Sequence, residues 1–133
     1  MEIPTDLKYS KEHEWVRIEG DELIVGASDY VPHHLSDIIH VELPEPDDHH
    51  YEEREDLLVL ESIEEAIDLH APVAGTVIDV NHALHHKPEL ISEDPYGIGW
   101  LLRMRPDNIK DIEHLMDYHE YEAGLPPDND DDD

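Results

Sequence analysis

Residues 57–75 carry the pattern that most restricts the fold of this chain: two apolar segments separated by a polar turn. Residues 57–60 form a short apolar run, residues 61–65 are mostly acidic, and residues 66–69 alternate between apolar and polar side chains. Short apolar runs and strict alternation are both typical of β-strands, and a polar segment between two strands is typical of a hairpin turn. The stretch therefore predicts a β-hairpin with an acidic tip.

The rest of the chain is also dominated by strand patterns. Further strands are expected at residues 7–18, 23–26, 38–44, 75–81 and 100–105. Helical patterns are few: residues 28–38 begin with N-capping side chains, and residues 82–91 are either helical or a loop. Residues 107–121 have apolar side chains at 109, 112, 115 and 116, a spacing that predicts one C-terminal helix packed by that face.

Residues 45–56 are polar throughout and contain no glycine. The chain has no glycine at all between Gly26 and Gly75. Glycine is the residue that adopts a positive φ at least cost. Any turn in this segment that requires a positive φ is therefore expected to place it on Asp, His or Glu.

Composition narrows the classes of protein to consider. The chain has 133 residues, and its 36 acidic side chains against 8 Lys and Arg give a formal net charge of −28. We expect one domain, residues 1–123, followed by a disordered acidic tail, residues 124–133. The negative field disfavours binding to nucleic acid or an anionic membrane. No apolar stretch is long enough for a transmembrane helix, and residues 1–6 do not resemble a signal sequence, so a cytoplasmic monomer is expected.

The 12 histidines raise the question of a metal site. Adjacent pairs on a strand point to opposite faces and cannot chelate one ion. His82 and His86 are better placed, since they would share a face if their segment were an α-helix. Two histidines without a third ligand make only a weak, adventitious site for zinc, nickel or copper, so no functional metal is expected.

No catalytic constellation is present in the sequence. The adjacent Glu64 and Glu65 lie in a turn where no burial would raise a carboxylate pKa for acid–base work. There is no nucleophile elbow, phosphate-binding glycine loop or dinucleotide fingerprint. We therefore expect that the protein is not an enzyme.

Four separated motifs give the chain a resemblance to a known family. They are Lys-Tyr-Ser-Lys-Glu-His-Glu-Trp-Val at 8–16, Glu-Leu-Pro at 42–44, Glu-Ser-Ile at 61–63 followed by Asp-Leu-His-Ala-Pro-Val-Ala-Gly at 68–75, and Asp-Pro-Tyr-Gly at 94–97 with Gly-Trp-Leu at 99–101. Together they resemble the glycine cleavage system H protein over roughly residues 7–122. The resemblance implies a barrel-sandwich hybrid, the fold of lipoyl and biotinyl domains, with short flanking helices and a C-terminal helix.

The same resemblance implies where a site would lie. The family joins lipoate through an amide to a lysine that directly follows Glu-Ser-Val, and the matching position here is Glu64. Glu14, His34 and Asp68 match positions near the cleft that shelters the loaded arm. Because a carboxylate cannot form the lipoyl amide, no cofactor is expected, and these three residues are interpreted as relics of the cleft.

Two hypotheses about function follow. In the first, the chain is a carrier-family domain that lacks its lipoyl lysine and can at most dock the family's partners: the glycine decarboxylase, the aminomethyltransferase and dihydrolipoyl dehydrogenase. In the second, it is an engineered, highly acidic scaffold with no partner. The absence of Phe, Gln and Cys from 133 residues favours the second hypothesis, whereas the intact motifs favour the first.

Overall fold

The structure is a computed structural model, and it describes residues 7–31, 37–45 and 49–125. Within these residues, nine strands form two antiparallel sheets. In spatial order, the six-stranded sheet is β1-β2-β3-β9-β8-β5 and the three-stranded sheet is β4-β6-β7. The strands are β1 Lys8–Tyr9, β2 Glu14–Glu19, β3 Glu22–Ala27, β4 Ile38–Glu42, β5 His50–Tyr51, β6 Asp56–Ser62, β7 Ala66–His70, β8 Gly75–Val80 and β9 Leu102–Pro106. The prediction of a mainly β fold is confirmed.

The principal hydrophobic core contains side chains from both sheets. The alternating strands β6 and β8 each bury one face, and the buried side chains include Leu58, Leu60, Val77 and Val80. Alternation of this kind in an antiparallel sheet leaves one face for the core and one for solvent. A second cluster, built around Trp15, Tyr9 and Tyr121, lies beneath the C-terminal helix.

The helices are short. Among the helices whose bounds lie within the described residues, 3₁₀ helices span His82–His85 and Ile109–His114, and α-helices span Leu90–Glu93 (α1) and Tyr118–Gly124 (α2). Tyr30 and Val31 are also helical, but residues 32–36, five of the eleven residues of the helix predicted at 28–38, lie outside the described residues. Helix α2 ends at Gly124, and residues 126–133, most of the predicted acidic tail, also lie outside the described residues. No helix in the described part of the chain is long and apolar enough to cross a membrane.

The prediction of one continuous helix over residues 107–121 is wrong. Met116 forms a β-bridge with Tyr9, with hydrogen bonds of 2.8 Å in both directions, so the backbone is extended between the two helices. Asp117 then starts α2 through a capping box with Glu120. The apolar spacing arises because Ile112 is buried and Leu115 is partly buried. It does not reveal that the backbone of Met116 is hydrogen-bonded to Tyr9 of β1.

The expectation for the glycine-free segment is also corrected. Among the described residues of this segment the positive φ of 74° falls on Arg54, not on Asp, His or Glu. Arg54 lies in the turn that leads into β6, where its N–H donates to Ala71 at 2.8 Å and Glu55 N–H donates to Glu52 at 3.0 Å. These bonds fix the turn regardless of which side chain occupies position 54.

Gly26 is required by the packing of Trp15. The two residues are directly opposite each other in β2 and β3, and the Trp15 ring lies over the glycine. A Cβ at position 26 would be 2.5 Å from Nε1 of Trp15 and closer still to Cε2 and Cζ2. We expect Gly26→Ala to destabilise the protein by about 1–3 kcal/mol or more, because an added methyl group cannot fit a packed core.

Chemical denaturation of Gly26→Ala beside Gly124→Ala tests this expectation. A Cβ at residue 124 would meet no atom within 4 Å, so the control should stay close to the parent stability. Equal stability of the two variants would show that the Trp15 ring moves away without cost.

Candidate functional site

The β6–β7 hairpin presents an exposed acidic tip, as the sequence predicts. Ser62 closes the turn: its N–H donates to the Glu65 carbonyl at 2.8 Å, and its Oγ accepts the N–H groups of Glu64 at 3.3 Å and Glu65 at 3.1 Å. Neither Glu64 nor Glu65 adopts a positive φ. The Ser62 hydroxyl satisfies their backbone N–H groups, so this turn does not require a glycine. Ile63 is 68% exposed, and Glu64 and Glu65 are also exposed.

The side chain of Glu64 determines what the tip can do chemically. A deprotonated lysine amine can attack an activated acyl group and form an amide, but a carboxylate cannot. The chain has four lysines, Lys8, Lys11, Lys87 and Lys110, and none lies in the hairpin. The tip therefore presents no amine that could form an amide with an acyl group.

A cleft of about 370 Å³ lies beside β7 and contains one of the predicted site residues, Asp68. The turn at residues 11–13 forms one wall and Tyr30 and Val31 contribute to another. The lining residues are Lys11, Glu12, His13, Tyr30, Val31, Glu65, Ile67, Asp68 and Leu69. The cleft therefore begins directly next to the hairpin tip and offers charges of both signs.

Glu14 lines a different cavity, of about 170 Å³, on the other side of the same turn. Lys11 and Glu12 line both spaces, whereas Asp68 lines only the first and Glu14 only the second. The structure thus separates two residues that the family resemblance places at one cleft. His34, the third, lies outside the described residues.

Glu14 is completely buried, and Ser10 and the backbone of His70 are hydrogen-bonding neighbours of its carboxyl group. Ser10 donates its hydroxyl to Oε1 at 3.0 Å, and Oε2 has no hydrogen-bond partner among the described residues. Burial raises the pKa of Glu14 to about 8; the nearby charge of Glu12 adds to this rise, and the Ser10 hydrogen bond opposes it. The side chain is consequently a neutral acid over much of the physiological range.

Several neighbours of this region could not be recognised from the sequence. His70 lies between Glu12 and Asp56, with Nδ1 3.4 Å from Glu12 Oε1 and Nε2 3.2 Å from Asp56 Oδ1. Lys11 is far from the hairpin along the chain but lines the cleft with Glu65. Only the two-sheet arrangement brings these residues together, so no spacing in the sequence could have paired them.

The histidine pair proposed as an adventitious metal site does not lie on an α-helix. Residues 82–85 form a 3₁₀ helix, in which residues three apart share a face, and the rings of His82 and His85 are 6.0 Å apart. His86 is the residue that caps this helix. Within residues 7–31, 37–45 and 49–125, no three His, Asp or Glu side chains are grouped to hold a metal ion.

The raised pKa of Glu14 predicts a pH dependence of stability. Between about pH 4.5 and pH 8 the folded chain keeps a proton on Glu14 that the unfolded chain has lost. The free energy of unfolding should therefore fall as the pH rises through this interval, with a slope of up to about 1.4 kcal/mol per pH unit. Glu14→Gln, which keeps a neutral side chain of the same shape, should remove this fall.

Denaturant titrations at several pH values test the effect, with Glu113→Gln, an exposed carboxylate, as the matched control. The control should keep the parent pH profile. A parent profile that Glu14→Gln leaves unchanged would contradict a buried, protonated Glu14.

Comparisons with known proteins agree with the geometry. Residues 7–127 match the family model described as glycine cleavage H-protein. The chain is 47% identical to the glycine cleavage system H protein of Acinetobacter baylyi, over 94% of this chain and 100% of that protein. It is 44% identical to the one from Thermus thermophilus, over 94% of this chain and 97% of that protein.

A solved structure is similar over nearly the whole chain. The crystal structure of a glycine cleavage system H protein from Mycobacterium marinum superimposes with a TM-score of 0.82 at 34% identity, covering 92% of this chain and 100% of that one. The predicted two-sheet sandwich with its C-terminal helix is therefore confirmed as the fold of that protein. By sequence and by structure, this chain belongs to the glycine cleavage H-protein family.

Proposed function

We propose that this chain is an H-protein-family carrier domain in which Glu64 occupies the lipoyl-lysine position, so that it carries no lipoate. The family attaches lipoate to a lysine and works with the enzymes of glycine cleavage; its members are carriers and not catalysts. The observation that supports the proposal is the hairpin tip. Glu64 is exposed on a turn that is closed by Ser62 and preceded by Glu61, as the family places its lysine.

None of the four lysines, all of which lie in the described residues, takes the place of a lysine at position 64. Lys11 is the lysine that comes near the hairpin, but it belongs to the 11–13 turn, on a different wall of the cleft from Glu65. An attaching enzyme reads the lysine at the tip of a tight turn together with its flanking residues. A lysine on a separate loop would not be presented in that way.

The residues around the tip are consistent with a scaffold that keeps its cleft residues but lacks the lipoyl arm. The cleft retains Asp68 and His13, and the neighbouring cavity retains a buried, neutral Glu14. Carboxylate and imidazole groups could hold the amine of a loaded arm by charge-assisted hydrogen bonds. With no arm to shelter, we interpret Glu14, His34 and Asp68 as relics of that site.

The decisive experiment restores the lysine. After co-expression with a lipoate ligase, the intact mass of the parent protein should show no lipoyl increment, whereas Glu64→Lys should gain one. The reaction should be slower than for an ordinary H protein, because the surrounding carboxylates favour the unreactive ammonium form of the new lysine. Adding Glu65→Ala should speed it.

Mass spectrometry over a ligase time course distinguishes the variants, and Glu65→Lys serves as the matched control, with a lysine one residue beyond the tip position. It should be modified much more slowly than Glu64→Lys. Lipoate on the parent chain anywhere in residues 57–75, or no lipoate on both Glu64→Lys and its double variant, would overturn the proposal.

A second candidate function, an acidic scaffold without partners, is favoured by the net charge of −28 and the missing residue types. Titration against the three glycine cleavage enzymes at physiological salt discriminates the two. Docking predicts saturable micromolar binding that Ile63→Ser, at the 68% exposed tip, weakens by at least about fivefold. Ile39→Ser, at the 55% exposed Ile39 of β4, should not weaken it. No binding to any of the three enzymes would favour the scaffold.

A further inference from the structure

A hydrogen-bonded chain of three side chains links the C-terminal helix to the cleft. Tyr121 of α2 places its hydroxyl 3.0 Å from Nδ1 of His13 and 2.5 Å from Oγ of Ser28. Tyr121 is 2% exposed and Ser28 is completely buried, so water does not compete for the bond between their hydroxyls, whereas the bond to His13 is partly buried. His13 in turn lines the cleft, in the turn that also provides Lys11 and Glu12.

The relative acidities of the groups favour one direction for the chain. Ser28 Oγ already accepts the N–H of Tyr30 at 3.3 Å, and its single hydrogen can be donated to Tyr121 or to Tyr96, which also hydrogen-bonds Ser28. Burial raises the pKa of Tyr121 far above its ordinary value, so the phenol keeps its proton. A phenol is a stronger acid than a neutral imidazole N–H, and an imidazole nitrogen is the more basic acceptor. Tyr121 is therefore the donor and His13 Nδ1 the acceptor.

The backbone and the ring of His13 also have defined contacts, in addition to the hydrogen bond at Nδ1. His13 has a φ of 69°, a conformation uncommon for a residue other than glycine. Its carbonyl accepts the N–H of Ser28 at 2.8 Å, and its ring is stacked on Tyr30 with centroids 4.2 Å apart. The Tyr121 ring packs edge-on against the same imidazole at 5.7 Å and is stacked on Tyr9 at 4.5 Å.

We propose that Tyr121 is a positioning residue whose hydroxyl holds His13 in its Nε2–H tautomer and in one orientation on the wall of the cleft. The C-terminal helix, interpreted from sequence only as a packing element, thus sets the hydrogen-bonding character that the cleft presents. What the cleft binds rests on the proposed function, but the coupling of Tyr121 to His13 does not. It can be measured without ligand and without lipoate.

The test is the tautomer of His13, read from the ¹⁵N shifts of its ring at a pH where the imidazole is neutral. The parent should show a protonated Nε2 and an unprotonated Nδ1. Tyr121→Phe keeps the packing but removes the donor, and the tautomer ratio should fall by about fivefold, the worth of one ordinary hydrogen bond. Amide signals of Asp68 and Leu69, which line the same cleft, should shift with it.

Tyr118→Phe is the matched control, because it also removes a tyrosine hydroxyl from α2. The Tyr118 hydroxyl donates to Glu122 at 3.0 Å and not to His13. It should leave the His13 tautomer and the Asp68 and Leu69 signals unchanged. Ser28→Ala supplies a second variant should Tyr121→Phe fail to fold: the phenol still donates, so the Nε2–H tautomer should persist. An Nδ1–H tautomer in the parent, or an equal tautomer ratio in the parent and Tyr121→Phe, would overturn the proposal.

Discussion

The packing of Trp15 is the contact on which the rest of the site depends. Its side chain is completely buried against Gly26, and its indole N–H donates to the carbonyl of Pro95 at 2.9 Å. One ring therefore joins β2, β3 and the turn that precedes β9. Because His13 and Glu14 directly precede Trp15 in the chain, the anchored ring also fixes where the turn at residues 11–13 lies. Both the cleft and the Glu14 cavity take one wall from that turn.

Most of the acidic side chains in the described residues are exposed to solvent, which limits the cost of the large negative charge. Arg103 is the centre of the best-defined ion-pair group, 3.3 Å from Glu19 and 3.1 Å from Glu22, and Arg105 and Arg17 extend it across β2, β3 and β9. Partly exposed pairs of this kind contribute about 0–1 kcal/mol each. The fold is thus stabilised by its hydrophobic clusters, and Glu14, the one fully buried carboxyl group among the described residues, is accommodated by protonation.

The sequence predicted the parts of the fold that depend on local pattern. Alternation identified the strands, and the polar segment at 61–65 identified the hairpin, because both are properties of neighbouring residues. The C-terminal region was misjudged because the bridge between Met116 and Tyr9 joins residues more than a hundred positions apart. The positive φ of Arg54 was missed because Ala71, across the sheet, helps to fix that turn.

In the candidate site, too, features set by neighbouring residues could be predicted, whereas features set by long-range contacts could not. Glu64 could be located from flanking motifs alone, since its position depends on a local turn. The separation of Glu14 from Asp68 into two cavities, and the approach of Lys11 and His70, depend on how the two sheets face each other. The His13–Tyr121–Ser28 chain joins three distant parts of the sequence, and none of its members is unusual by itself.

The hairpin explains how carrier chemistry could be lost while the fold is retained. The bonds that shape the tip use the backbone of residues 64 and 65 and the hydroxyl of Ser62, whereas the Glu64 side chain is exposed. The turn therefore accepts lysine or glutamate with the same backbone geometry. Replacing the residue that carries the arm removes its chemistry without disturbing the packing around Trp15, because the two depend on different contacts. Under the proposed function, the cleft, the cavity and the C-terminal helix would keep their structure in a chain without the arm.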